Sequence, residues 1–120
     1  MKSLFFGGVF LAAAALVGPV HAAELDISGC TFPQAPTVPD GSTASEQQML
    51  DASAAVKAFV AESTKGRECL DAAKQALGEE ITEEQLAKYT SVYNTAVDAE
   101  VQAGDAWNQA VRAYKAKNPG

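Results

Sequence analysis

The feature that most constrains the fold is a pair of long stripes whose members recur at alternating spacings of three and four residues. The first stripe consists of Met49, Ala52, Val56, Phe59, Ser63, Gly66, Leu70, Ala73 and Leu77. The second consists of Leu86, Tyr89, Tyr93, Ala96, Glu100, Ala103, Trp107, Ala110 and Tyr114. This spacing places side chains along one side of an α-helix and is typical of a coiled-coil-like seam. Because a short loop joins the stripes, the sequence predicts an all-α fold, an antiparallel two-helix hairpin.

Capping signals set the expected helix ends. Thr43-Ala44-Ser45-Glu46 and Thr82-Glu83-Glu84-Gln85 each have the pattern of a capping box, and Gly78 is a natural stop between them. The sequence therefore predicts a hairpin over 43–117, with helices over about 43–77 and 83–116.

The expected register pairs each helical glycine with a larger side chain. With the two helices antiparallel, Gly104 should lie opposite Phe59, and Gly66 opposite Val97. A glycine facing a larger side chain is what close packing of two helices requires.

Residues 23–42 differ from the rest in composition. Pro33, Pro36 and Pro39 recur at every third position, which matches the three residues per turn of polyproline II, and Asp40-Gly41 is a turn signal. The sequence therefore predicts an extended proline-rich segment that ends where the first helix begins.

Cys30 and Cys69 are the two cysteines of the chain. Measured from Thr43, each is about 40 Å away, Cys30 by the rise of polyproline II and Cys69 by the rise of an α-helix. A proline-rich segment laid back along the first helix would thus bring the two thiols together. Because no Cys-x-x-Cys motif is present, we interpret the pair as a structural disulfide rather than a redox centre.

The N-terminal residues have the pattern of a secretory signal peptide over 1–22. Met1-Lys2 is followed by an apolar run, and Val20-His21-Ala22 has small residues at the positions that a signal peptidase reads. We expect export to the periplasm and no membrane insertion after cleavage. Ile27-Ser28-Gly29-Cys30 resembles a lipobox, but Glu24 and Asp26 separate it from the apolar run, so a lipoprotein anchored at Cys30 is a minor alternative.

Composition argues against several classes of function. The net charge of −6 disfavours binding to nucleic acids and to anionic membranes. His21, the single histidine, would leave with the signal peptide, so the exported chain would lack the usual general base, zinc ligand and haem ligand. We therefore predict that the protein is not an enzyme and has no cofactor.

An acidic group lies at the loop between the helices. It consists of Glu79, Glu80, Glu83 and Glu84. Carboxylates suit calcium, but the spacing is not that of a calcium loop, and acidic residues also suit the N-terminus of a helix. We favour this second interpretation and predict no metal site.

The second helix carries more apolar positions than one neighbouring helix needs. Ala99, Ala103, Ala106 and Ala110 continue the three-and-four spacing beside the aromatic residues. Either the proline-rich segment covers this row, or a second copy of the chain or a periplasmic partner protein binds there.

One run of residues resembles a known group of proteins. Cys30-x-x-Pro33-x-x-Pro36-x-x-Pro39-Asp40-Gly41, followed by a capped helix and Cys69, is similar to a run in small uncharacterised exported proteins of Gram-negative bacteria with a helical hairpin. The resemblance implies a periplasmic location and no catalytic residue. The predicted function is a periplasmic helical interaction or structural module without catalytic activity. The alternative is a protein that binds a small ligand or metal ion in the hairpin groove or at the acidic loop.

Overall fold

The computed structural model describes residues 24–120, so the signal peptide predicted over 1–22 lies outside the described residues. Helix α1 spans Glu46–Leu77, a short 3₁₀ turn spans Gly78–Glu80, and helix α2 spans Glu83–Lys117. No strand occurs within residues 24–120. The predicted all-α helical hairpin is confirmed for this part of the chain.

Contacts between the helices establish the antiparallel arrangement. Arg67 of α1 contacts Tyr93 and Glu100 of α2, whereas Lys74, about two turns later in α1, contacts Tyr89 near the start of α2. Later residues of α1 therefore contact earlier residues of α2, which means that the helices run in opposite directions.

The first helix begins later than predicted. Its N-cap is Ser45, whose hydroxyl accepts from the amide of Gln48 while the Gln48 side chain accepts from the amide of Ser45. The prediction of a cap at Thr43 was wrong because Asp40 organises the preceding residues as a turn. The Asp40 carboxylate accepts from the amide and the hydroxyl of Ser42, and its carbonyl accepts from the amides of Thr43 and Ala44.

The other helix ends match the capping signals. Thr82 and Gln85 form the predicted capping box at the start of α2. Gly78 caps the end of α1 with φ 58°, a backbone region that favours glycine.

The core is asymmetric between the helices. Every buried residue of α1 belongs to the predicted stripe: Met49, Ala52, Val56, Phe59, Ser63, Gly66 and Leu70. The stripe residues that α2 buries are small: Ala96, Ala103 and Ala110. The aromatic side chains of α2 remain only half-buried. The hairpin therefore packs the larger side chains of α1 against alanines.

The disulfide between Cys30 and Cys69 is confirmed, with Cα atoms 5.5 Å apart. It holds residues preceding the hairpin against the side of α1. Leu25, five residues before Cys30, is itself buried, so the chain contributes to the core before its first helix begins.

The surroundings of two helical glycines differ from those expected. A β-carbon on Gly66 would lie 2.7 Å from the Thr31 carbonyl oxygen and 2.9 Å from the Phe32 ring. A β-carbon on Gly104 would meet no atom within 4 Å. The prediction that Gly104 packs closely on Phe59 was therefore wrong. Gly66 makes its closest approach to residues that precede the hairpin.

Candidate functional site

The hairpin has two faces with different surroundings, and the first lies beside residues 24–42, here called the N-terminal segment. Cys69 and Gly66 border one shallow cavity of about 420 Å³ with Gly29, Thr31 and Pro33. We call this side of the hairpin the segment face. Within it, Gly41 is buried so closely against the backbone of Ala110 and Tyr114 in α2 that an added β-carbon would overlap the Ala110 carbonyl.

The four alanines predicted to bind a partner lie on or near the segment face, with different exposures. Ala103 and Ala110 are buried within the chain, Ala99 is half-buried, and Ala106 is exposed. Ala106 and Ala110 border a second shallow cavity, of about 530 Å³, together with Val38, Pro39, Asp40 and Gly41. The chain's own residues thus occupy part of the space beside this row, and its role in binding a partner stays a prediction.

The opposite side, here called the open face, is marked near the loop by a polar cluster that crosses the seam. The Arg67 guanidinium donates to a Glu100 carboxylate oxygen at 3.1 Å and lies 5.6 Å from the centre of the Tyr93 ring. It also donates to Thr64 of its own helix. The side chains of Arg67 and Glu100 are 23% and 13% exposed, so solvent screens the pair only partly. Together these contacts hold the pKa of Arg67 above its ordinary value.

A second set of contacts continues the cluster toward the loop. The Tyr89 hydroxyl donates to an Asp71 carboxylate oxygen at 2.5 Å, and the Lys74 ammonium lies 4.6 Å from the centre of the Tyr89 ring. The tyrosine rings of residues 89 and 93 stack with centres 5.7 Å apart. Donation to the Asp71 carboxylate favours the neutral phenol and raises the pKa of Tyr89 to about 12.

Farther from the loop, the open face carries exposed apolar side chains. Val60 lies about two turns before Arg67 on the same side of α1, and Gly104 lies one turn beyond Glu100 in α2. Val60 is 38% exposed and Val101 is 55% exposed. Because no atom fills the space where a Gly104 β-carbon would point, α2 has a notch in this region. Gly104 borders neither of the two cavities that the N-terminal segment lines on the segment face.

The acidic loop end of the hairpin contains an open cavity of about 650 Å³. The apolar side chains of Leu25 and Ile27 line it together with Glu84, Gln85 and Lys88. Gln85 is buried and contributes to the cap of α2. Within residues 24–120, no three acidic, histidine or cysteine side chains are grouped closely enough to hold a metal ion.

Comparison with known proteins found no match to a protein-family model, a curated protein or a solved structure. Neither α1 nor α2, nor any other helix within residues 24–120, is long and apolar enough to cross a membrane.

Sequence reasoning missed the residues of α1 that meet the aromatic side chains of α2. In the expected register Glu100 faces Ser63, whereas its partner in the structure is Arg67. The expected register already placed position 67 between Tyr93 and Glu100 on the facing helix. A charge beside the seam, opposite an acid within it, was therefore the signal that could have identified the pair.

Proposed function

We propose that this protein is a small periplasmic interaction or structural module without catalytic activity. The observation that carries the proposal is the apolar part of the open face, where Val60 and Val101 are exposed beside the notch at Gly104. Exposed valines next to an unfilled helix surface are typical of a site where another helix packs. This position differs from the alanine row that the sequence favoured.

The N-terminal segment supports the structural part of the proposal. We propose that residues 24–42 form an extended, polyproline II-like strap tied back onto the hairpin by Cys30–Cys69. Half-burial of Pro33, Pro36 and Pro39, at every third position, supports a ribbon with one edge toward the helices. The strap would add buried surface to a coiled-coil-like hairpin that is thin by itself.

The signal-peptide pattern of residues 1–22 and the disulfide support the proposed location, because a disulfide is compatible with an oxidising compartment. We expect cell fractionation to place the protein in the periplasm and N-terminal sequencing to begin at Ala23. A chain that begins at Cys30 and carries a lipid would instead support the lipoprotein alternative.

Photo-crosslinking in cells tests the interaction role directly. A photoreactive amino acid at Val101 should give discrete crosslinked products. One at Gln109, an exposed position of α2 that borders the segment-face cavity with Val38 and Pro39, serves as the control on the other face. Products from position 101 but not from position 109 would identify the open face as a contact surface. Equal labelling at both positions, or no product from either, would contradict the proposal.

The cavity at the loop end supports a second candidate function, binding of a small ligand. Its volume of about 650 Å³ lies within the range of sites for small molecules, and apolar and charged side chains both line it. Native mass spectrometry of protein purified without chelators would reveal a retained molecule. At the acidic loop we expect no metal ion to bind, so millimolar calcium should leave the melting temperature unchanged. A saturable rise would contradict this expectation, because a ligand that binds only the native state must raise the melting temperature.

A further inference from the structure

The open face of α2 has a sequence pattern that is complementary to itself. Val97 and Val111 lie seven residues before and seven residues after Gly104, so all three share one side of the helix. Val101, one turn before Gly104, is more than half exposed. If two α2 helices crossed antiparallel at Gly104, Val97 of each copy would meet Val111 of the other.

Charges beside this stripe follow the same symmetry. Asp98 and Arg112 flank the valines on one side, both are exposed, and neither makes an ion pair or hydrogen bond within residues 24–120. In the antiparallel crossing, Asp98 of each copy lies near Arg112 of the other, so two ion pairs form about the twofold axis. Asp105 would face the Asp105 of the other copy near that axis. This single repulsion is opposed by the two ion pairs between Asp98 and Arg112.

Gly104 gains an explanation from the same crossing. A glycine inside an exposed helix destabilises it relative to alanine, and nothing in the described chain fills the space beside this glycine. A partner helix can approach closely at this point only because Gly104 has no side chain. The notch, the valines on both sides of it and the unpaired opposite charges all fit one partner.

We infer that the apolar part of the open face binds a second copy of this chain, through an antiparallel contact between α2 helices centred on Gly104. The inference rests on the proposed interaction role and names its partner. Two hairpins joined in this way form a four-helix arrangement in which both N-terminal segments lie on the outside.

Sedimentation equilibrium from low micromolar to several hundred micromolar protein, with the disulfide intact, tests the inference. The wild type should shift from monomer to dimer mass. Because each substitution acts twice in the dimer, Asp98→Arg or Arg112→Asp alone should raise the dissociation constant at least about tenfold. The charge-swapped double variant should recover to within about threefold of the wild type, and Asp105→Asn should tighten the dimer.

A pair of glutamate substitutions separates the two faces. Val101→Glu should abolish the dimer, whereas Ala106→Glu, on the segment face, should leave its dissociation constant within about threefold. Circular dichroism of each variant checks that the helices persist. A dimer that is lost with Ala106→Glu but kept with Val101→Glu would overturn the inference in favour of the alanine row.

The remaining outcomes also decide the question. A monomeric mass at every concentration, or no recovery in the charge-swapped variant, would overturn self-association. If the protein is monomeric and position 101 still crosslinks to a different protein in cells, the interaction role survives while the inference fails. If the protein is monomeric and position 101 gives no crosslinked product, the interaction role and the inference both fail.

Discussion

Replacing each of the two helical glycines by alanine tests where the N-terminal segment lies. Gly66 and Gly104 both sit well inside α-helices, so in each case alanine should raise helix propensity by about 1 kcal/mol. At Gly104 the new methyl group meets no atom within 4 Å, so the full gain should appear. At Gly66 it would lie 2.7 Å from the carbonyl oxygen of Thr31 and 2.9 Å from the ring of Phe32.

The contact at Gly66 should cost more than the propensity gain. Both distances are shorter than ordinary van der Waals contact, and the oxygen belongs to the backbone, so relief requires the N-terminal segment to move. Overpacking of this kind costs about 1–3 kcal/mol. Gly66→Ala should therefore leave stability unchanged or lower it by up to about 2 kcal/mol. The two substitutions should differ by about 1–3 kcal/mol.

Urea unfolding followed by circular dichroism measures this difference, at a concentration where the protein is monomeric so that association does not contribute. The cycle is completed in a Cys30→Ser background, where the segment is free to lift. There Gly66→Ala should become stabilising and approach the effect of Gly104→Ala. If Gly66→Ala stabilises the disulfide-intact protein as much as Gly104→Ala does, the segment does not pack on α1 as described, and the proposed strap is refuted.

Three further perturbations test the staple and the polar cluster. Cys30→Ser should lower the free energy of unfolding by about 4 kcal/mol, the chain-entropy value for a loop of this length, and intact protein should show no free thiol until it is reduced. A double-mutant cycle with Arg67→Met and Glu100→Gln should give a coupling free energy of about 1–2 kcal/mol, and a value near zero would contradict the described ion pair. Because the folded-state pKa of Tyr89 is raised, its hydrogen bond stabilises the fold fully below pH 10 and is lost as the pH rises to about 12. The difference in unfolding free energy between wild type and Tyr89→Phe should therefore shrink across that interval. A constant difference would count against the hydrogen bond between Tyr89 and Asp71.

Local patterns predicted much of the hairpin. The three-and-four spacing identified every buried residue of α1, and the capping box identified Thr82 as the start of α2. Both depend on residues within a few positions of one another, so the sequence alone is sufficient. The disulfide was also predicted, because only two cysteines are present and simple helix rises placed them at the same level.

The features that were missed depend on the residues preceding the hairpin. The start of α1 shifted to Ser45 because the Asp40 turn uses the amides of Thr43 and Ala44. The neighbour of Gly66 differed because Thr31 and Phe32 approach that glycine. Spacing within a helix reports which residues share a side, but it does not report which other part of the chain lies there.

The same distinction explains why the sequence indicated an apolar surplus on α2 but pointed to the alanine row. Alanines at helical spacing are suited to close approach, and here part of that space is occupied by Val38 to Gly41 of the same chain. Because those residues lie on one side, the proposed second copy is left with the other side, where Val60 and Val101 are exposed beside Gly104. The position of the N-terminal segment thereby determines which face of the hairpin is available. Removing residues 24–42 should consequently expose a second apolar face, so that the truncated hairpin associates in ways that Val101→Glu alone no longer prevents.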